Sequence, residues 1–260
     1  MQTFQNKTVW IIGASSGIGR ALAIELSKAG ASLALSARRK EELETLNEEL
    51  GGGHLVVPLD VSDAESVLKA AADIREKEGR IDIVIFLAAV YTPASIDAIE
   101  ISGGAQNAVN VNLMGAFHTV CAALPIFHEQ KSGQIALCGS VAGYRGLPNA
   151  QPYSATKAAI INLAESLRAE QAVNNIDVKI INPGFVRTPL TDKNDFDMPL
   201  IIEPEEAARA IHKGLTKKSF EIVFPFGMMI AMKFLQAMPY LLYFPVVEKI
   251  MMKAMGKKST

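Results

Sequence analysis

The chain has 260 residues, of which 49% are hydrophobic and 20% are charged, and its formal net charge at pH 7 is -1. This composition is typical of one large globular domain with a well-buried core. The near-neutral charge, with no basic cluster in the first 200 residues beyond 38–40, argues against a nucleic-acid partner.

The positions of the cysteines and histidines indicate whether the protein forms disulfides and whether it binds a metal. Cys121 and Cys138 both lie in apolar surroundings, which predicts reduced core residues of a cytosolic protein. The four histidines are scattered, and His118 and His128 lack the spacing of zinc ligands, so no metal site is predicted. The N-terminus has no apolar core of signal-peptide length. We therefore expect a cytoplasmic protein.

Apolar strands alternate with helical patterns along the chain. Helices are predicted over residues 18–29, 40–50, about 62–78, 104–130, a stretch that begins near 153, and 204–215. The predicted strands cover residues 8–12, 32–36, 54–60, 81–89, 134–138, 177–182 and 220–224. Such alternation implies a mostly parallel seven-stranded sheet with helices on both faces, which is a doubly wound α/β fold.

The sequence GASSGIG, residues 13–19, joins the first predicted strand to the first helix. Glycines let the backbone turn sharply towards an anion, and the helix N-terminus offers free N–H groups and the positive end of its dipole. A tight structural turn would also explain the glycines, but the position in an alternating chain favours a nucleotide phosphate site. The candidate contacts are Gly13, Ser15, Ser16, Gly17, Ile18 and Gly19.

The end of the second strand indicates which nucleotide is bound. NAD sites usually place an acid there to hold the ribose 2′-hydroxyl. This chain has Ala37 followed by Arg38 and Arg39, and two guanidinium groups can meet a 2′-phosphate. We therefore predict NADP(H) over NAD(H). Alternatively, the arginines only open a solvated helix and pair with Glu41 and Glu42.

A tyrosine and a lysine stand one helical turn apart in PYSATK. Tyr153 and Lys157 share a helix face at this spacing. A cation so close favours the phenolate, which predicts a pKa of Tyr153 below its usual value of about 10. Such a tyrosine could exchange protons near neutral pH. The pair alone could be coincidental.

Together these motifs resemble the short-chain dehydrogenase/reductase family, over about residues 8–224. Beyond the glycine-rich turn and Tyr-x-x-x-Lys, the similar segments are LDVSD, NVNLMG, CGSVAG and NPGFVRTPL. The family usually has Asn-Asn-Ala-Gly after strand four, where this chain has Phe86, Leu87, Ala88 and Ala89. The resemblance implies catalytic roles for Asn112, Ser140, Tyr153 and Lys157. It implies cofactor contacts from Asp60, Val61, Tyr153, Lys157, Pro183, Gly184, Val186 and Thr188.

The resemblance also implies a Rossmann-like fold and hydride transfer between NADP(H) and a carbonyl or secondary alcohol. Ser140 would hold the substrate carbonyl and Tyr153 would exchange a proton with its oxygen. Lys157 would lower the pKa of Tyr153 and bind the ribose, and Asn112 would hold a water that links Lys157 to solvent. A homodimer or homotetramer is implied, and residues 189–202 would form a lid. The rival hypothesis is a non-catalytic NADP(H)-binding sensor or interaction module.

The end of the chain is unexpectedly apolar and rich in methionine. We predict a dinucleotide-binding and catalytic domain over 1–224, with 225–260 as an extension of it. Lys233 is the one charge between Ile222 and Val247, and prolines interrupt the stretch, so a membrane span is not predicted. The extension either packs on the pocket or on a partner subunit, or it lies on a membrane surface with its lysines at the headgroups. Both alternatives favour an apolar, lipid-like substrate.

Overall fold

The computed structural model describes residues 4–92, 96–194 and 196–254. Seven strands form one sheet in the order β3-β2-β1-β4-β5-β6-β7, and every neighbouring pair is parallel. This confirms the predicted α/β class. The strands are Thr8–Ile12 (β1), Ser32–Ser36 (β2), Leu55–Val56 (β3), Ile83–Phe86 (β4), Gly133–Cys138 (β5), Ile176–Pro183 (β6) and Glu221–Phe224 (β7).

Helices cover both faces of the sheet, as predicted. Alternate residues of a strand point to opposite faces, so Trp10 and Ile12 of β1 lie in one buried apolar cluster, and Val9 and Ile11 lie in the other. The helices are Gly17–Lys28 (α1), Lys40–Glu49 (α2), Ala64–Glu78 (α3), Gln106–Ala108 (α4), Gly115–Gln130 (α5), Tyr153–Gln171 (α6), Pro204–Leu215 (α7), Phe226–Ala237 (α8) and Tyr240–Ala254 (α9).

The strand order sets the place of the site. Strand β1 lies between β2 and β4, so the chain leaves β1 on one side and later returns on the other. Ligands of doubly wound sheets bind outside the carboxyl ends of the strands at this reversal. The structure therefore opens its crevice at the ends of β1 and β4.

The long helical stretch predicted over residues 104–130 is confirmed, although it is not a regular α-helix throughout. Its first part contains the π-helical turns Ile101–Ala105 and Val109–Met114, and only α5 is a long regular helix. Gly103–Gln130 is the one described helical stretch long and apolar enough to cross a membrane. Its side chains Val120 and Phe127 are buried in the core, and core helices of globular proteins pass the same criterion.

The two cysteines differ in burial. Cys138 is buried, as predicted, but Cys121 is exposed. The prediction that both lie in the core is therefore wrong for Cys121. It lies on the outward side of α5, a helix whose exposed surface also carries apolar residues, so apolar neighbours in sequence do not establish burial.

Candidate active site

A cavity of about 460 Å³ lies at the carboxyl ends of the strands. Its walls come from the first turn and from the segments that follow β2, β3, β4, β5 and β6. Asn112 lies outside its lining. The cavity is lined by every residue for which the sequence predicts a cofactor contact: Gly13, Ser15, Ser16, Gly17, Ile18, Gly19, Arg38, Arg39, Asp60, Val61, Tyr153, Lys157, Pro183, Gly184, Val186 and Thr188.

The first turn requires glycine at two positions for different reasons. Gly13 has φ +99°, and a Cβ there would lie 2.8 Å from the backbone nitrogen of Ala88. A Cβ on Gly19 would lie 2.0 Å from the carbonyl oxygen of Gly13. Any side chain at these two positions would clash, so only glycine lets the turn pack tightly against the loop after β4. It leaves the N-terminus of α1, which begins at Gly17, at the cavity.

Two exposed guanidinium groups stand at the rim of the cavity. Arg39 forms an ion pair with Glu42 at 3.1 Å, as the alternative to NADP binding expects. Among the described residues, Arg38 forms no ion pair, and its charge helps to lower the pKa of Asp60. Burial acts to raise that pKa, but the hydrogen bonds from Ser62 and the charge of Arg38 outweigh it. The rim therefore keeps an unpaired cation beside the cavity.

Ser140, Tyr153 and Lys157 meet on the opposite wall. Ser140 follows β5, and its Oγ accepts a hydrogen bond from the Ala142 amide at 3.1 Å. Tyr153 begins α6, and Lys157 lies one turn later and is 1% exposed. Nζ of Lys157 donates to the carbonyl oxygen of Cys138 at 2.7 Å and lies 5.4 Å from the ring centre of Tyr153. The wall thus holds a hydroxyl, a phenol and an amine.

The predicted lowering of the Tyr153 pKa is wrong. Burial raises the pKa of Tyr153 above its usual value, and the neighbouring Cys138 and Tyr91 act in the same direction. A hydrogen bond with Ser140 opposes the shift without reversing it. Lys157 does not offset this effect: its Nζ donates to the carbonyl oxygen of Cys138 and lies 5.4 Å from the ring centre of Tyr153. Burial also lowers the pKa of the Lys157 amine. Tyr153 is therefore a protonated phenol at neutral pH.

Asn112 lies beneath the cavity, with its side chain fully buried in a π-helical turn. Its Oδ1 accepts a hydrogen bond from the Val90 amide at 2.8 Å. Its Nδ2 donates to the Val90 carbonyl at 3.0 Å and to Thr156 Oγ1 at 3.1 Å. The amide thus ties the loop after β4 to α6, close to Tyr153 and Lys157.

The sequence did not predict that the loop after β4, with Val90, lines the cavity. Leu190 and Lys193, which also line it, belong to the predicted lid over residues 189–202. The ring of Tyr91 packs edge-on against that of Tyr153, with centres 5.0 Å apart. Nζ of Lys193 donates to the carbonyl oxygen of Tyr91 at 2.9 Å. The convergence of strand ends at one sheet edge could have indicated the loop after β4, since parallel strands all end there.

A doubly wound parallel sheet with a cavity at the carboxyl ends of its strands is the architecture of many dinucleotide-binding proteins. A family model described as short chain dehydrogenase matches residues 7–198. The chain belongs to the short-chain dehydrogenase/reductase family.

Similar proteins agree with this class. An uncharacterized oxidoreductase of Myxococcus xanthus is 32% identical over 242 residues, which cover 92% of this chain and 95% of that one. An uncharacterized oxidoreductase of Staphylococcus epidermidis is 35% identical over 222 residues, 84% of this chain and 95% of that one. The crystal structure of a short-chain type dehydrogenase/reductase from Mycobacterium marinum has a TM-score of 0.79 and 26% identity, and the match covers 87% of this chain and 96% of that one.

Proposed function

We propose that this oxidoreductase transfers a hydride between NADP(H) and a carbonyl or secondary alcohol, and that its substrate is apolar or lipid-like. One observation carries the proposal: a single cavity is bordered by a glycine-rich helix N-terminus, by two arginines and by Ser140, Tyr153 and Lys157. An anion site and a proton-exchanging group in one cavity suit a redox reaction on a carbonyl.

The residues present fit a dinucleotide phosphate. The turn at Gly13 has no room for side chains, which leaves backbone N–H groups to approach an anion. Arg38 and Arg39 would hold a 2′-phosphate. Ala37, after the end of β2, stands where NAD-binding sites usually have a carboxylate. Asp60 would face the adenosine side, and Gly184 and Thr188 the nicotinamide side. When bound, the cofactor supplies or accepts the hydride.

The chain's own residues handle the proton and the carbonyl oxygen. Ser140 donates a hydrogen bond that holds this oxygen, and Tyr153 gives it a proton. A raised pKa keeps the proton on Tyr153 at neutral pH, where it is available for donation to the carbonyl oxygen. Lys157 would hold the ribose of the bound cofactor. Asn112 positions α6, and its Oδ1 retains a lone pair that can bind a water.

The walls near the reacting groups support an apolar substrate. Val90, Pro189 and Leu190 contribute apolar side chains to the cavity, and α8, with its methionines, packs behind Gly184. We also propose that residues 1–224 form the dinucleotide-binding and catalytic domain and that 225–260 extend it. Residues 1–3, 93–95, 195 and 255–260 of these segments lie outside the described residues.

A homodimer or homotetramer in the cytoplasm is the assembly we propose. Met114, Phe117 and Cys121 are exposed and recur at helical spacing along α5 and the turn before it, which makes an apolar stripe suited to a second subunit. Light scattering after gel filtration measures the mass directly, and a purely monomeric protein would contradict this part.

The decisive experiment follows NADPH absorbance with a panel of ketones, aldehydes and long-chain 3-oxo or sterol-like compounds. We expect turnover with an apolar carbonyl compound and tighter binding of NADPH than of NADH. Tyr153→Phe should lose about 10²–10⁴-fold in turnover while it keeps NADPH binding and thermal stability. If the variant retained full turnover, the proposed chemistry would be wrong. If no carbonyl reacted although NADPH bound, the sensor hypothesis would stand.

A further inference from the structure

Exposed apolar side chains are concentrated on the last two helices. Among the described residues, sixteen large hydrophobic residues are exposed, and nine of them, three on α8 and six on α9, lie within residues 226–250. Monomeric proteins rarely expose so dense an apolar surface without a binding role. We call these nine side chains the tail face. We propose that the tail face binds the surface of a membrane that contains anionic lipids.

Helix α8 separates an inward from an outward side. Met228 and Met232, four residues apart, are buried with Val141 and Tyr144 in a small apolar cluster. On the other side Phe226, Ile230 and Phe234 recur every four residues and are 70%, 53% and 68% exposed. The helix is thus anchored by one stripe and presents a second apolar stripe outward.

Lys233 is the one charge on α8, and the structure pairs it with the protein body. Its Nζ lies 2.8 Å from Oε2 of Glu221 and 4.5 Å from the ring centre of Tyr144. Although burial acts to raise the pKa of Glu221, the hydrogen bonds from Lys233, Tyr144 and Asn182 hold it below its usual value. The outward stripe of α8 is therefore free of an uncompensated charge.

Helix α9 is anchored by fewer residues. Tyr243 and Val247 are buried, and the hydroxyl of Tyr243 donates to the carbonyl oxygen of Gly146. Leu241 is 85% exposed, so burial within this chain does not explain its apolar character. The other members of the tail face on α9 are Tyr240, Leu242, Phe244, Val246 and Ile250.

The positive charge of the C-terminal segment indicates which partner binds the tail face. Residues 225–260 contain five lysines and one glutamate, a formal charge of +4, which leaves -5 on residues 1–224 given the total of -1. Lys249 is exposed and follows Leu242 by seven residues, so it borders the same side of α9. The exposed Glu248 follows Leu241 by seven residues and offsets the charge of Lys249, so the net positive charge depends on the lysines further along the sequence. Lys257 and Lys258 continue the sequence outside the described residues. Lysines beside an apolar surface match anionic headgroups above acyl chains.

A second copy of the chain fits this face less well. A twofold contact uses the same patch on both subunits, so it would bring the net positive charge of one tail, residues 225–260, against that of the other. A transmembrane span is also unsuitable, because helices of 12 and 15 residues extend only about 18 and 22 Å, against about 30 Å of hydrocarbon. The two helices are suited to lie on the surface.

Helix α8, which carries part of the tail face, adjoins the wall of the cavity. A Cβ on Gly184, which lines the cavity, would lie 3.0 Å from Cγ of Met228. A Cβ on Gly227 would lie 3.0 Å from Cδ1 of Leu200, which is 56% exposed and belongs to the segment that continues from the cavity wall. A membrane-bound protein would therefore hold its cavity near the lipid, from which an apolar substrate could enter; this consequence rests on the proposed function.

Vesicle sedimentation tests the proposal with the full-length protein. The vesicles are phosphatidylcholine alone, or phosphatidylcholine with about 30% phosphatidylserine to supply anionic surface charge. We expect sedimentation with the anionic vesicles, and a loss of about tenfold or more in partitioning when Phe234→Glu and Leu241→Glu are combined. Lys249→Gln should weaken binding to anionic vesicles by about fivefold.

The matched control combines Leu68→Glu with Val173→Glu, at residues that are 51% and 87% exposed outside the tail face. This control should sediment like the wild type. A wild type that stays in the supernatant overturns the proposal, as does an equal loss in the control variant. So does a tail-face variant that changes only the oligomeric mass in light scattering. NADPH binding, measured by fluorescence in the same samples, reports the proposed function separately, because sedimentation does not require the cofactor.

Discussion

Nζ of Lys157 lies over the ring of Tyr153, 5.4 Å from its centre, while its hydrogen bond goes to the carbonyl oxygen of Cys138. The amine therefore faces the ring and a neighbouring strand. Because burial dominates around the hydroxyl, the pKa of Tyr153 is raised. The geometry makes this phenol a proton donor in its resting state, which has a direct consequence for the pH dependence of the reaction.

We expect kcat/KM for carbonyl reduction to stay constant from about pH 7 to about pH 9, since a pKa above the usual value of about 10 keeps Tyr153 protonated there. The reverse oxidation needs the deprotonated phenol, so its rate should rise about tenfold per pH unit over that range. Rate profiles in both directions measure this. A reductive profile that declines with a midpoint near neutrality would contradict the raised pKa.

Ala37 lines the cavity directly before Arg38. Replacing it with aspartate, Ala37→Asp, places a carboxylate where a ribose 2′-hydroxyl can be held and a 2′-phosphate is repelled. We expect NADPH affinity to fall and NADH affinity to rise, with a combined change in preference of about 10–100-fold. Fluorescence titration with both cofactors provides the measurement. Ala37→Asn is the uncharged control and should shift the preference less; equal shifts would show that charge is not the cause.

Two glycines with nearly the same backbone angle differ in their surroundings. Gly13 has φ +99° and Gly51 has φ +96°, but a Cβ on Gly51 would meet nothing within 4 Å. Both Gly→Ala variants place a side chain at a similar positive φ, so the difference between them reports chiefly the contact with Ala88. We expect Gly13→Ala to reduce the free energy of unfolding by about 1–3 kcal/mol more than Gly51→Ala, and to weaken NADPH binding. Urea unfolding compares them, and equal losses would refute the close approach.

The amide of Asn112 makes three hydrogen bonds to the groups around it. The variant Asn112→Ala removes the hydrogen-bond partner of the Val90 amide, the Val90 carbonyl and Thr156 Oγ1. We expect it to lower the free energy of unfolding by about 2–4 kcal/mol. Asn107→Ala is the control, because Asn107 is exposed a few residues earlier in the same helical region. Chemical denaturation measures both variants. A change in turnover without a change in stability would instead favour a role confined to a bound water.

Much of the site follows from local sequence. Strands of apolar residues alternate with helices, and the chain can form only a few topologies from that order. The glycines of 13–19, the arginines after β2 and the spacing of Tyr153 and Lys157 all depend on neighbours within a few residues. Parallel strands end at one edge, so the segments after them were expected to meet, and the structure places them around one cavity.

The burial, the charge partners and the pKa of several side chains depend on residues that are distant in the chain. The pKa of Tyr153 depends on burial against β5 and on Tyr91, which the spacing of four residues does not specify. Lys233 appeared to interrupt an apolar segment until Glu221, on another element, proved to be its partner. Cys121 has apolar neighbours in sequence, yet it is exposed. Sequence periodicity determined the elements and their order, because hydrogen bonding and alternation are local. Only the tertiary structure decided burial, charge partners and proton affinity, because these depend on which distant groups fold against each side chain.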